Sequence, residues 1–131
     1  MPDSCPEVRI IALQHVGLLV SDLARAKVFY ETVLGLQPYP DRPDLPYQGE
    51  WYDLGGGQQV HLMQLPNPDA AAVRPEHGGR DRHVALGVKG LTGLKQRLEA
   101  AGVSYTTSKS GRAALFCRDL DLNTLEFVEV G

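Results

Sequence analysis

The sequence predicts an α+β fold made of two βαβββ modules, and three observations lead to this prediction. A segment that begins at His15 recurs 68 residues later in a segment that begins at His83. In both segments apolar residues first alternate and then recur every three or four positions, which indicates a strand followed by a helix. Each helix is followed by three short extended stretches that Gly and Asx clusters separate.

The repeat is visible when HVGLLVSDLARAKVFYE is written above HVALGVKGLTGLKQRLE. Repetition at one fixed offset is typical of a duplicated structural unit. The matching residues have the spacing of a strand and then of a helix, so the repeat concerns structure and not only composition. The identical pairs are His15 and His83, Val16 and Val84, Leu18 and Leu86, Val20 and Val88, Leu23 and Leu91, Lys27 and Lys95, and Glu31 and Glu99.

Both predicted helices have recognisable ends. Ser21 and Asp22 can cap the first helix, and Gly35 can supply the left-handed residue that stops it. The second helix has its stop at Gly102. The apolar faces are predicted to consist of Leu23, Ala26, Tyr30, Val33 and Leu34 in the first helix and of Leu91, Leu94, Leu98 and Ala101 in the second.

The strands that complete each module follow the helices. They are predicted over residues 36–39, 50–54 and 58–64 in the first module and over residues 103–108, 113–118 and 124–130 in the second. Three glycines at 55–57 predict a hairpin turn, and residues 119–123 predict its counterpart. The first module then spans residues 8–65, a polar linker 66–80 and the second module 81–131, all within one domain of residues 1–131.

Composition favours one globular domain. The 131 residues are 43% hydrophobic and 22% charged, which suits a single core. The formal net charge of -3 argues against nucleic acid and membrane surfaces as partners. The start of the chain lacks a signal-peptide pattern and no apolar run approaches a membrane span, so a cytoplasmic location is expected. Two distant cysteines, Cys5 and Cys117, predict neither a disulfide framework nor a cysteine metal site.

Three histidines and one glutamate are candidate metal ligands. His15 and His83 alternate with apolar residues in the first strand of each module, so each should point away from the helix-covered face. His61 and Glu126 each lie between two apolar residues of a last strand and correspond to each other across the repeat. An unpaired buried Glu126 would be costly, and a metal would relieve that cost. The fourth histidine, His77, lies in the linker and is expected to be solvated.

This arrangement resembles the vicinal oxygen chelate superfamily, which includes glyoxalases, bleomycin resistance proteins and dioxygenases. The resemblance covers nearly the whole chain and is carried by His15 in QHVGLLVSDLARAKVFYETVLGL, His83 in RHVALGV and Glu126 in LFCRDLDLNTLEFVEV. It implies two modules related by a pseudo-twofold axis whose sheets form a cup-shaped, partly closed mixed sheet. It also implies one divalent metal ion bound by His15, His83 and Glu126, with His61 as the fourth ligand. Imidazoles with one carboxylate suit zinc, nickel, manganese or iron.

Two further features could contact a substrate. Lys109, Arg112 and Arg118 surround a loop of small residues. Lys109 and Arg112 are predicted to bind an anionic group of the substrate, with a solvated basic hairpin as the alternative. Trp51 is a candidate for the wall of the substrate pocket, and plain core packing is its alternative role.

The resemblance implies a metal-dependent, glyoxalase-like enzyme of the lyase or isomerase type that chelates two neighbouring oxygens of a small substrate. In glyoxalase I a carboxylate moves a proton between adjacent carbons, and Glu126 is the catalytic residue expected here. This chain departs from that enzyme at His61, where a second glutamate is expected. The alternatives are a fosfomycin-type metallothiol transferase, an extradiol dioxygenase and a non-catalytic binding protein similar to bleomycin resistance proteins. A thiol cosubstrate and a homodimer are further expectations, with each site formed within one chain or across two.

Overall fold

The structure, a computed structural model, describes residues 5–131 of the chain. Residues 1–4, which belong to the stretch behind the cytoplasmic prediction, lie outside the described residues. Two helical regions are present: α1 (Leu23–Lys27), which continues as a π-helical turn (Val28–Val33), and α2 (Leu91–Ala100). A 3-10 turn covers Gly78–Arg80. The strands are β1 (His15–Leu19), β2 (Gly49–Gly55), β3 (Gln58–Met63), β4 (Val84–Val88), β5 (Tyr105–Thr107), β6 (Ala114–Arg118) and β7 (Thr124–Glu129).

The strands form two sheets, one from each half of the chain. The first sheet has the order β1-β3-β2 and the second has the order β4-β7-β6-β5. In both sheets the first strand of the half runs parallel to its last strand, and the other neighbours are antiparallel. These mixed sheets with their helices confirm the predicted α+β class. Among residues 5–131 no helix has both the length and the apolarity that crossing a membrane requires.

One predicted strand of the first module is absent from its sheet. Residues 36–39 form no strand, and only an isolated bridge joins Pro38 to Tyr52 of β2. The N–H of Tyr39 still donates to the carbonyl of Trp51 at 2.6 Å. Proline has no N–H to donate, and prolines at both 38 and 40 leave Tyr39 as the single backbone donor of residues 38–40. The equivalent strand of the second module, β5, contains no proline and pairs with β6.

The first helix begins as predicted and then widens. The carboxylate of Asp22 accepts a hydrogen bond from the N–H of Arg25 at 3.2 Å, which confirms it as the cap. The predicted single α-helix is wrong after Lys27, because a π-helical turn follows and the N–H of Leu34 donates to the carbonyl of Phe29. The wider turn buries both Phe29 and Tyr30 in the core. Gly35, with a φ of 80°, ends the element as predicted.

The strand alternation divides apolar from polar side chains. Val60 and Leu62 of β3 and Leu125 and Phe127 of β7 are all buried in one core cluster that the two halves share. His61 lies between the first two of these residues and Glu126 between the last two, so each points to the opposite face of its sheet. The helical residues Leu91, Leu94 and Leu98 cover the core from α2. The thiol of Cys117 is also buried, and burial raises its pKa to about 12.

A buried hydrogen-bond network at Asp119 joins the two halves of the chain. The hydroxyl of Tyr30, from the π-helical turn, donates to the Asp119 carboxylate at 2.6 Å. The side-chain amide of Asn123 donates both to that carboxylate, at 2.8 Å, and to the carbonyl of Leu19 at the end of β1, at 2.9 Å. Burial holds the pKa of Asp119 above its usual range against the lowering effect of these hydrogen bonds. The 119–123 turn therefore connects β7 to the first module.

We predict that Asp119→Ala lowers the free energy of unfolding by about 1–3 kcal/mol, because it leaves the buried Tyr30 hydroxyl without an acceptor. Urea denaturation at pH 7 measures this difference. Asp44→Ala removes an exposed carboxylate and is the matched control, with an expected change within about 0.5 kcal/mol. Equal stability of the two variants would show that the network does not hold the halves together.

Candidate functional site

The first cluster of candidate ligands lies on the three-stranded sheet. His61, on the central strand β3, is aligned with Gly17 of β1 on one side and Trp51 of β2 on the other. Its ring is sandwiched between two others: the His15 ring at a centroid distance of 4.1 Å and the Trp51 ring at 3.9 Å. The interplanar angles are 15° and 1°, so all three rings stack. We refer to His15, His61 and Trp51 as the first half-site.

The surroundings of His61 keep its ring neutral. Burial, followed by the nearby charges of His15 and Arg42, lowers the pKa of His61 to about 4. Its Nε2 atom lies 2.8 Å from the side-chain oxygen of Gln59. A neutral imidazole is the form that binds a metal ion. The stack therefore holds the imidazole of His61 in its neutral form, with the indole ring of Trp51 covering one face.

The second cluster lies at the matching place on the four-stranded sheet. Glu126, on the central strand β7, is aligned with Ala85 of β4 and with Phe116 of β6. One carboxylate oxygen lies 3.2 Å from Nε2 of His83, and the other accepts a hydrogen bond from Arg112 at 2.8 Å. The ring of Phe116 meets the ring of His83 edge to face at 5.2 Å. We refer to His83, Glu126, Phe116 and Arg112 as the second half-site.

The two half-sites are related by the duplication. His61 and Glu126 occupy the same strand and register position of their sheets, and so do Trp51 and Phe116. Each half-site thus has an aromatic wall, one donor from a last strand and one donor at the start of the half: His15 is the first residue of β1, whereas His83, predicted in a strand, lies one residue before β4. Phe116 was not among the residues that the sequence singled out, although the repeat that relates His61 to Glu126 also relates Trp51 to Phe116.

Glu126 is buried with a charged partner, which differs from the expectation of an unpaired carboxylate. The residue is only 2% exposed, and the guanidinium of Arg112 compensates its charge within the protein itself. Arg112 reaches it from the loop between β5 and β6, the same loop that carries Lys109. The predicted role of Arg112 and Lys109 in binding a substrate anion stays a prediction, but the structure brings Arg112 into contact with a candidate ligand.

A cavity of about 310 Å³ opens beside the second half-site. Its lining combines the basic loop with the candidate ligands and includes His77, His83, Lys109, Arg112, Phe116 and Glu126. Trp51 is not part of this lining, since it belongs to the other half-site. A small molecule in this cavity would contact a carboxylate, an imidazole and two cationic side chains.

His77 borders the same cavity, so it is not the solvated loop residue that the sequence suggested. Its Nδ1 accepts a hydrogen bond from the N–H of Gly79 at 2.9 Å, and its Nε2 donates to the carbonyl of Thr107 at 3.2 Å. Both ring nitrogens are therefore occupied, which leaves neither available for a metal ion. His77 caps the 3-10 turn that precedes β4.

Arg118, the third member of the predicted basic cluster, has a structural position. Its guanidinium donates to the carboxylate of Asp81 at 2.7 Å and to the carbonyl of Pro75 at 2.6 Å, and it also contacts Thr124. These contacts hold the linker against the second sheet. The sequence could not distinguish Arg118 from Arg112, because only the pairing of β6 decides which side chain turns toward the linker.

The two half-sites do not merge within one chain. Across residues 5–131 no group of three or more His, Cys, Asp or Glu side chains is close enough to hold a metal ion. His15, Gly17 and Ala85, on the ligand-bearing faces of β1 and β4, are exposed. The predicted single centre of His15, His61, His83 and Glu126 thus has its four members in two separate pairs.

The fold agrees with a comparison against known families. The sequence profile of the Glyoxalase/Bleomycin resistance protein/Dioxygenase superfamily matches residues 12–127. The chain therefore belongs to this superfamily, which confirms the predicted resemblance.

Individual relatives are similar over most of the chain. Glyoxylase I 4 of Arabidopsis thaliana is 25% identical over 103 residues, which are 79% of this chain but only 59% of that protein. Lactoylglutathione lyase of Haemophilus influenzae is 27% identical over 122 residues, or 88% of this chain and 90% of that protein. The crystal structure of FosX, a fosfomycin resistance protein of Listeria monocytogenes complexed with Mn(II) and a dihydroxypropylphosphonic acid, shares the fold with a TM-score of 0.69 at 17% identity. That superposition covers 94% of this chain and 95% of FosX.

We predict that Arg112→Met lowers the free energy of unfolding at pH 7 by about 1–2 kcal/mol, because the buried carboxylate of Glu126 loses its cation. Because the arginine side chain is 59% exposed, the expected loss is smaller than the roughly 3–5 kcal/mol for removing one partner of a fully buried ion pair. Lys109→Met removes a charge from the same loop and should leave stability within about 0.5 kcal/mol. Identical denaturation curves for the two variants would argue that the Arg112–Glu126 contact contributes nothing.

We also predict that His61 in chelator-treated protein stays neutral from pH 8 down to about pH 5, since the pKa of its ring is about 4. The unfolded chain, with an ordinary histidine pKa of 6.5, binds this proton more readily, so His61 lowers stability progressively as the pH falls from 6.5 toward 4. An NMR titration of the imidazole signals measures the midpoint.

The matched variant for this titration is His15→Ala, which removes both the neighbouring charge and part of the cover. The midpoint of His61 should then move upward. A wild-type midpoint near 6.5 would contradict the stacked, buried environment.

Proposed function

We propose that the protein is a metal-dependent, glyoxalase-like enzyme of the lyase or isomerase type whose centre forms between two copies of the chain. His15 and His61 of one copy would face His83 and Glu126 of the second copy. The observation that carries this proposal is the duplication of the half-sites. Two donor pairs occupy equivalent positions on their sheets, yet they remain apart within one chain. A twofold dimer would bring each first half-site to a second half-site and create two identical centres.

The donor chemistry fits a divalent transition metal. Three imidazoles and one carboxylate, as expected for a shared centre, suit zinc, nickel, manganese or iron. The neutral state of His61 supports its role as a ligand. The presence of Mn(II) in the FosX crystal shows that one protein with this fold binds such a cation. When bound, the metal would supply a Lewis acid for two neighbouring oxygens of a small substrate.

The residues of the chain would perform three tasks around that centre. Glu126 could accept or return a proton, because its carboxylate lies in the cavity wall, where one oxygen accepts a hydrogen bond from Arg112 and the other lies 3.2 Å from Nε2 of His83. Arg112 and Lys109 would attract an anionic group of the substrate into the cavity. Trp51 and Phe116 would exclude water from either side of the donors. A ligand that takes up the charge of Glu126 would also free the guanidinium of Arg112 for the substrate.

Two reactions fit these tasks. Similarity to lactoylglutathione lyase supports proton transfer on a thiol-derived substrate, although His61 replaces the second carboxylate expected for that chemistry. The basic loop beside Glu126 supports the second candidate, a fosfomycin-type thiol transferase that holds a phosphonate. Parallel assays with manganese, nickel, zinc and iron should compare hemithioacetal isomerisation with thiol-dependent opening of a phosphonate epoxide. Activity in neither assay with any metal would reject both reactions.

We predict a clear order of metal affinities for single variants in calorimetric titrations. His83→Ala and Glu126→Ala should each lower the metal affinity by more than about 100-fold, because each removes a direct ligand. Replacing a residue that only supports a ligand costs at most about 100-fold. His61→Ala should lose less. His77→Ala is the control and should bind like the wild type, because both of its ring nitrogens already have partners. Loss of binding in His77→Ala with retention in His83→Ala would reverse the assignment.

A complementation experiment tests whether the centre is shared between copies. The variant His15→Ala/His61→Ala lacks both donors of the first half-site, and His83→Ala/Glu126→Ala lacks those of the second. In a shared centre neither variant binds metal alone. Mixed dimers restore one complete centre, so an equal mixture refolded together should regain about one quarter of the wild-type metal content. No recovery in confirmed mixed dimers would place the centre within a single chain.

A further inference from the structure

The segment that precedes β1, residues 5–13, extends away from the body of the protein, and we refer to it as the arm. Its four large apolar side chains are almost fully exposed: Val8 85%, Ile10 92%, Ile11 81% and Leu13 77%. The described chain shows no hydrogen bond from residues 5–13 to the sheets, and the first one comes from the carbonyl of Gln14, which accepts from the N–H of Gln59. Apolar surface of this extent normally marks a contact with another molecule.

The chemistry of the arm points to a protein partner. Ile10 and Ile11 are adjacent, so in an extended chain their side chains point to opposite sides. A partner must therefore shield apolar surface from water on both sides of the segment. The charged residues within the arm, Glu7 and Arg9, have opposite signs. An arm without net positive charge has no electrostatic attraction to an anionic lipid surface. A groove or a second surface of a protein is the environment that can cover both sides of such a segment.

The position of the arm identifies that protein as a second copy of the chain. Only Gln14 separates the arm from His15, which belongs to the first half-site. A second copy that brings His83 and Glu126 toward His15 would come within about 7 Å of Leu13, given the rise of about 3.3 Å per extended residue. We propose that the arm lies against the second copy and clasps the dimer that completes the metal centre. This inference rests on the dimer in the proposed function and adds the surface that holds it.

The test measures dimerisation of the full chain by sedimentation equilibrium. Ile10→Ser/Ile11→Ser removes the two adjacent apolar side chains that the proposal places against the second copy, and it should raise the dimer dissociation constant at least tenfold. Val73→Ser is the matched control, because Val73 is 98% exposed in the linker and lies outside the arm. It should leave the dissociation constant unchanged. Since the replaced side chains are exposed within one chain, both variants should keep the wild-type melting temperature of the monomer.

A second measurement follows the arm directly. Cys5 lies in the arm and is exposed, whereas Cys117 is buried, so a thiol-reactive fluorophore labels Cys5 selectively. In the wild-type dimer the docked arm should give the label a high residual anisotropy. Dilution below the dissociation constant, or Ile10→Ser/Ile11→Ser, should lower that anisotropy to the value of a freely moving label.

The outcomes separate this inference from the proposed function. A wild-type dimer that weakens in Ile10→Ser/Ile11→Ser but not in Val73→Ser supports the clasp. Equal dimerisation of all three proteins overturns the clasp. A wild-type protein that stays monomeric at 100 times the protein concentration of the activity assays also overturns it, whatever its metal content. If the protein binds metal as a monomer, the enzyme proposal survives without the clasp. If it dimerises through the arm and binds no metal, the clasp survives without the enzyme.

Discussion

The parallel pairing of the first strand with the last strand in each half is the constraint on which the rest of the structure depends. This pairing aligns Gly17 with His61 and Ala85 with Glu126. It therefore places a donor from the start of one strand beside a donor from the middle of the next. Because side chains alternate with a period of two, the same register sends the neighbouring valine, leucine and phenylalanine side chains into the core. A slip of one residue would exchange the two sets, so the buried core and the donor pairs specify each other.

The two halves use that shared framework for different electrostatics. In the first, a neutral imidazole is stacked between His15 and Trp51, and burial keeps it deprotonated. In the second, a buried carboxylate is balanced by the guanidinium of Arg112 and contacts His83. A neutral, buried imidazole and a charge-compensated carboxylate can each exist in a single chain without a metal ion. The chain can therefore fold with its half-sites apart, and Arg112 has a role at the carboxylate.

Much of the fold was predictable because its signals are local. The cap at Asp22, the stop at Gly35 and the three leucines of the apolar face of α2 follow from short-range chemistry, and the structure has them where the sequence predicted them. Ala101, also predicted for that face, is exposed and lies just after the helix. The failures have local causes as well. Prolines 38 and 40 could have excluded the strand at 36–39, whereas the π-helical turn after Lys27 depends on packing of Phe29 and Tyr30 against the other half. The turn at 119–123 has a short-range signal, but the contact of Asp119 with Tyr30 and that of Asn123 with Leu19 have none.

By itself the sequence determined the superfamily, the two modules and the four candidate donors, because duplication repeats both the hydrophobic period and the histidine at its start. Only the tertiary structure decided which donors meet. The sequence presents His15, His61, His83 and Glu126 as one set, while the structure divides them into a stacked pair, His15 and His61, and a second pair, His83 and Glu126, in polar contact at 3.2 Å. It also separates Arg112, which contacts Glu126, from Arg118, which holds the linker. Such distinctions depend on distances between residues far apart in the chain, and periodicity carries no information about those distances.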